Sequence, residues 1–134
     1  MEKIRVLMID DNVNLTEMVK EYFKGHKKIE VVGCCYDGEE GLNYILENGD
    51  TYDIILLDLI MPKRDGIYVL EELKKKNITK NIIVESSYNS QDVIRKVSEY
   101  GVNYYILKPF ELLDLEKRIL EVFKQLDSKS INLY

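Results

Sequence analysis

Four charged residues stand directly after short apolar runs. Asp10 and Asp11 follow Ile4–Ile9, Asp58 follows Asp53–Leu57, and Lys108 follows Tyr104–Leu107 and precedes Pro109. If those runs are strands of one α/β sheet, their carboxyl ends converge on a single crevice. Carboxylates gathered there suit a hard divalent cation, which takes oxygen ligands. Mg²⁺ uses few carboxylates and keeps several waters. Asp11 and Asp58 are therefore the candidate direct ligands, Asp10 binds directly or through water, and the backbone carbonyl of Ile60 offers a further oxygen. Mn²⁺ can take the same place, as can Ca²⁺ in crystals. Without a cation the carboxylates repel one another, and at least one pKa must rise.

Asp58 is the best-placed nucleophile, because an aspartate oxygen can attack phosphorus to give an acyl phosphate. A cation and Lys108 would offset the charge spread over the transferring oxygens, and lysine, a compact charge on a flexible stem, suits a phosphate. No histidine, cysteine or glutamate is as well placed. His26 falls at a helix end and is expected to be exposed. Any one of these carboxylates is also explained as a solvated cap, so the whole constellation carries the reading. A cis bond before Pro109 would aim Lys108 into the crevice.

The elements that must position these groups follow from periodicity. Ile4–Ile9 reads as a strand broken only by Arg5. Asn12 can cap the next helix, whose stripe is Leu15, Met18, Val19, Tyr22 and Phe23, with Gly25 ending it. Ile29–Tyr36 is the second strand. Asp37 and Glu40 have capping-box spacing, Leu42, Ile45 and Leu46 face inward, and Gly49 is the C-terminal cap. Asp53–Leu57 is apolar at Ile54 through Leu57, as in a central parallel strand covered on both faces. Met61–Gly66 is a loop, followed by a helix with Ile67, Leu70 and Leu73 inward. Ile82–Val84 is the core of the fourth strand. Val93, Val97 and Tyr100 mark a short helix, Tyr104–Leu107 the fifth strand, and Leu112, Leu115, Ile119, Val122 and Leu126 the last helix. Five strand–helix units with right-handed crossovers imply a doubly wound (βα)5 domain, with a parallel sheet in the order 2-1-3-4-5. That order sets Asp10 and Asp11 beside Asp58. Residues 1–126 form one domain, and 127–134 read as a polar tail or the start of a linker.

A chain of 134 residues, 46% hydrophobic, can fold as one domain without a disulfide or metal staple. Its net charge of −5 disfavours direct nucleic-acid binding, and it has neither a basic–aromatic cluster nor zinc-finger spacing. Cys34 and Cys35 are adjacent on a strand, point to opposite faces, and read as reduced. No signal peptide precedes the first strand and no apolar run reaches the about 20 residues of a membrane span, so the expected location is the cytoplasm.

Asp10-Asp11, Asp58, Ser86, Tyr105 and Lys108-Pro109, with Met61-Pro62 and Asp65-Gly66 in the third loop, resemble the receiver domains of two-component response regulators over about Lys3–Lys124. Within that family, "IDDN", "DLIMPKRDG" and "YYILKPF" look like receivers of sporulation regulators from endospore-forming, clostridial bacteria. The resemblance implies that Asp58 accepts phosphate from a histidine phosphotransferase or sensor histidine kinase in a transfer the receiver itself catalyses. It implies that Ser86 hydrogen-bonds a phosphoryl oxygen and that Tyr105 turns inward. The face of the fourth helix, fifth strand and fifth helix is then remodelled, with homodimerisation there. Tyr100, Tyr104, Glu99, Arg118 and Lys117 are candidate contacts. In longer relatives a C-terminal domain, absent here, binds DNA and controls transcription; a stand-alone relay receiver is the alternative.

Glu85 departs from the pattern, which has an apolar residue there. Its carboxylate is expected at the crevice rim or paired with a lysine. Ile60 and Tyr88, at the variable positions beside the phosphoryl group, are large and are neither carboxylates nor amides, which predicts a long-lived phosphoryl-Asp58. An aspartyl-phosphate phosphatase would need a general acid and a substrate pocket, neither of which is evident. A phosphorylation-independent interaction domain has only Glu85 in its favour. Flavin or dinucleotide binding would require a Ser/Thr/Gly-rich loop or GxGxxG where Asp10-Asp11-Asn12 stands.

Overall fold

The computed structural model describes residues 2–132, with side-chain surroundings through Leu126. Five strands alternate with five helices: β1 Ile4–Ile9, α1 Val13–Phe23, β2 Ile29–Cys35, α2 Gly38–Glu47, β3 Ile54–Asp58, α3 Gly66–Lys75, β4 Ile82–Ser86, α4 Gln91–Glu99, β5 Tyr104–Leu107 and α5 Leu112–Asn132. All strand pairs are parallel and the order is β2-β1-β3-β4-β5. This is the flavodoxin-like, doubly wound arrangement that the alternation implies.

Side chains of a strand alternate between faces, and here they divide the core in two. Met8, Leu56, Ile83 and Ile106 pack with Val19 and Phe23 of α1 and with Leu115, Ile119 and Val122 of α5. Leu7, Ile9, Ile55, Leu57 and Val84 pack with Leu42 and Ile45 of α2, Val69 and Leu73 of α3, and Val97 of α4. Cys34 lies on the first side and Cys35 on the second, both as free thiols. The helix starts obey their sequence signals. Asn12, Asp37, Asp65 and Ser90 each accept a backbone N–H from the third residue onward, satisfying donors the first turn leaves unpaired.

Three expectations need correction. In α1 Met18 is 56% exposed and Tyr22 half-exposed, while Thr16 is fully buried. The Thr16 hydroxyl donates to the Asn12 carbonyl (2.8 Å), which lets a polar side chain face the core. In α2 Leu46 is exposed and Gly41 takes its place against Ile9. Finally, α5 continues to Asn132, so 127–132 are helical rather than an aperiodic tail; residues 133–134 lie outside the described residues.

Candidate phosphoacceptor and cation site

Strand parity assembles the site. Asp10 follows Met8, Asp58 follows Leu56, Glu85 follows Ile83 and Lys108 follows Ile106, each by two residues, so all four carry on the α1/α5 side of the sheet. Register aligns them further, with Ile9 opposite Leu57, Asp58 opposite Glu85, and Glu85 opposite Ile106. Asp10, Asp11 and Asp58 each present an oxygen within 4.8 Å of the others. Lys108 Nζ lies 2.8 Å from Asp10 Oδ2 and 3.3 Å from Asp58 Oδ2. The Lys108–Pro109 bond is cis.

The hydrogen bonds fix which atoms remain free. Asp10 Oδ1 accepts the Asn12 N–H at 2.8 Å, and Asp58 Oδ1 accepts the Ile60 N–H at 3.3 Å. The loop after β3 is clamped by two glycines. Gly66 N–H donates to the Leu59 carbonyl (3.0 Å) and Gly38 N–H to the Arg64 carbonyl (2.7 Å). A Cβ on Gly66 would run into the Asp58 carbonyl and the Leu59 Cα, and one on Gly38 into Arg64. These close approaches are the physical content of the Asp65-Gly66 signal.

Burial, and next the charge of Asp10, push the Asp58 carboxyl up to about 6 against the pull of Lys108. Burial also opposes ionisation of Asp10, but the neighbouring Glu85, together with hydrogen bonds from Lys108 and Asn12, outweighs it and holds Asp10 below the usual carboxylate range. For Lys108 burial again works against the charge, and the surrounding carboxylates win. The residues present fit a divalent cation: three convergent carboxylates, one of them the exposed Asp11, and a strained ionisation at Asp58 that a cation would relieve.

Glu85 overturns its expectation. It is fully buried rather than at the rim, and among the described residues it makes no ion pair with a lysine. As a carboxylate neither of its oxygens finds a donor among the described residues. Burial first, and then its neighbour Asp10, drive its pKa well above the ordinary value. The signal for this was in the sequence: Glu85 shares its strand face with Ile83, so it had to point inward. His26 is likewise not exposed. Its Nδ1 accepts the N–H groups of Lys28 and Ile29, and its Nε2 lies 3.2 Å from Glu116 Oε1 of α5.

On the other side of the sheet are Ser86 and Tyr105. Ser86 is fully buried and its Oγ accepts the Tyr88 N–H at 3.1 Å. The Tyr105 hydroxyl donates to the Tyr88 carbonyl at 2.7 Å. Tyr104, facing the opposite way, donates to Gln125 Oε1 at 2.6 Å. Ile60 and Tyr88 are 46% and 52% exposed.

A doubly wound sheet with an acidic cluster and a lysine at its strand ends defines a phosphoryl-accepting α/β domain. Residues 6–120 match the family model of the response regulator receiver domain, and the chain belongs to that family. Among similar solved structures, the receiver domain of Francisella response regulator 1452 is 31% identical with a TM-score of 0.81, over 92% of this chain and 99% of that one. The REC domain of AraT, a response regulator from Geobacillus stearothermophilus, is 26% identical (TM-score 0.80; 96% and 99% covered). A chain of the CheX–CheY–BeF3–Mg²⁺ complex from Borrelia burgdorferi is 25% identical (TM-score 0.81; 90% and 89% covered). Like others of its family, this domain promotes its own phosphorylation and does not turn over a substrate. Among the described residues no helix is long and apolar enough to cross a membrane.

Proposed function

We propose that Asp58 is the phosphoacceptor of a two-component relay, charged by a phosphohistidine on a histidine phosphotransferase or sensor histidine kinase. The observation that carries this is Lys108 Nζ seated between Asp10 and Asp58 at 2.8 and 3.3 Å. In the transfer an Asp58 oxygen forms a bond to phosphorus, the donor's P–N bond breaks, and its electron pair returns to the imidazole. Asp10, Asp11, Asp58 and the Ile60 carbonyl would hold Mg²⁺, which supplies positive charge to the phosphoryl oxygens. Lys108 supplies the second positive charge.

The phosphoryl group adds roughly −2 charge and strong acceptor oxygens. Ser86 and Tyr105 are bonded to the two peptide groups of one residue, Tyr88. Drawing Ser86 toward the phosphoryl group therefore displaces Tyr88 and breaks the tie to Tyr105. Inverting a two-state balance from 1:99 to 99:1 takes about 5.5 kcal/mol, more than one hydrogen bond supplies. Lys108 and repacking of the α4–β5–α5 face share the rest, and a homodimer on that face is the output. A receiver that stands as a relay intermediate is the better-supported setting, since the comparisons match the receiver unit itself. Control of DNA binding and sporulation genes through a further domain rests on the three sequence segments alone.

The test is incubation with acetyl phosphate and Mg²⁺ followed by intact mass. One added phosphoryl group, absent when chelator replaces Mg²⁺ throughout the incubation and absent in Asp58→Asn, is the expected result. A folded wild-type protein that gains no mass refutes the assignment.

A further inference from the structure

We infer that the turn from β2 into α2, Cys35 to Gly38, is a brace for the cation site, and that Gly38 is a positioning residue for the loop that carries the Ile60 carbonyl. This deepens the reading above and rests on it. The turn is bonded to both halves of the site. At its start the Cys35 carbonyl accepts the Asp10 N–H at 2.9 Å, and at its end the Gly38 N–H donates to the Arg64 carbonyl at 2.7 Å. One short segment thereby joins the acidic pair at the end of β1 to the loop after β3, through backbone groups alone. Gly38 is buried, and a Cβ there would overlap the Arg64 carbonyl oxygen and stand 2.8 Å from the Asp65 carbonyl oxygen. Both are backbone atoms, which cannot swing aside as the end of a long side chain can.

The loop needs holding. Lys63 near its tip has a φ of 64°, a left-handed conformation that residues with a Cβ adopt uncommonly. The Arg64 N–H donates to the Pro62 carbonyl at 2.7 Å, closing a three-residue turn around Lys63. Backbone of this kind persists where its surroundings over-determine it. Here the base of the loop is closed by the Gly66 N–H on the Leu59 carbonyl (3.0 Å), and the tip is held by Gly38. Ile60 lies between base and tip, its own N–H donating to Asp58 Oδ1 at 3.3 Å. Gly38 therefore limits how far the Ile60 peptide can drift from Asp10 and Asp11. A binding constellation tolerates about 0.5 Å of misplacement, and a methyl between α2 and Arg64 would force the two segments apart by at least that much.

The test compares Gly38→Ala with Gly33→Ala, whose methyl meets the Tyr44 ring and the Leu7 side chain and so strains packing of the same helix away from the loop. Two quantities are read on each. One is Mn²⁺ affinity of the unphosphorylated protein, by electron paramagnetic resonance. The other is amide hydrogen exchange at Arg64 and Gly66 with chelator present. Gly38→Ala is expected to bind Mn²⁺ at least about tenfold more weakly than wild type and to exchange both amides at least about tenfold faster. Gly33→Ala should stay within about twofold of wild type in both, whatever it loses in urea unfolding. If Gly38→Ala does not fold, Asp37→Ala and Asp37→Ser carry the comparison. Both remove the same charge, and only serine keeps an acceptor for the Glu40 N–H that Asp37 caps at 2.8 Å. Asp37→Ala should then bind Mn²⁺ at least about threefold more weakly than Asp37→Ser. Wild-type Mn²⁺ affinity or wild-type exchange in a folded Gly38→Ala overturns the inference. An equal loss in Gly33→Ala does so too, as do equal affinities of the two Asp37 variants. If wild type binds Mn²⁺ but acetyl phosphate never labels it, the phosphoacceptor assignment fails while the affinity comparison still decides the brace.

Discussion

Replacing Glu85 should change how stability depends on pH, with a sign that the structure fixes. Its folded pKa is raised by burial and then by Asp10. The unfolded chain therefore releases this proton first as pH rises from about 4.5, while the folded protein still binds it. Stability contributed by Glu85 is complete below the unfolded value and is lost as pH climbs through the folded one. The slope in that window is about 1.4 kcal/mol per pH unit. Asp58 acts in the same direction, but its window runs from 3.8 to about 6. Above pH 6 the difference between wild type and Glu85→Gln isolates Glu85, since every other titratable group is shared. Urea unfolding with chelator present, at pH 5, 6, 7 and 8, is the assay. The two proteins should be close at pH 5. Glu85→Gln should then become more stable than wild type by up to about 1.4 kcal/mol for each unit until the folded pKa is passed. Parallel curves from pH 6 to 8 would show that Glu85 ionises normally, and the picture of a neutral buried acid would be wrong.

Removing Lys108 leaves two buried carboxylates without their counter-charge, so Lys108→Ala should cost about 3 kcal/mol in chelator. Saturating Mg²⁺ should restore part of that in the same urea titration. Gly66→Ala drives a methyl into the Asp58 carbonyl and Leu59 Cα and should cost about 1–3 kcal/mol, with slower acetyl-phosphate labelling than the stability loss explains. With Ile60 and Tyr88 flanking the site, phosphoryl-Asp58 should persist for many minutes in Mg²⁺. A half-life of seconds by intact mass would refute this, and Tyr88→Glu should shorten it.

The sheet and the charged cluster were legible because both follow from periodicity along the chain. Apolar runs ending in Asp10, Asp58 and Lys108 need no tertiary knowledge to be read, and sheet order brings them together. Misreadings arose where burial depends on contacts distant in sequence. His26 at a helix end looks solvated until Glu116, on α5, turns out to be its partner. Thr16 looks like a surface residue because its donor is satisfied by a backbone carbonyl that hydrophobicity does not register. Glu85 invites the rule that charge seeks water. Alternation from Ile83, taken together with register against Asp58, places it in the interior instead, where burial raises the pKa of its carboxyl.

The sheet also works as a partition. Asp10, Asp58 and Lys108 lie on the α1/α5 side, whereas Val84 and Tyr105 pack on the α2–α4 side. The acidic cluster and Tyr105 are therefore set on opposite faces of one sheet. The two sides meet where the strands end, at the Ser86 carbonyl that accepts the Lys108 N–H at 2.9 Å and at the Tyr88 peptide. An event that shifts the end of β4 moves groups on both faces at once.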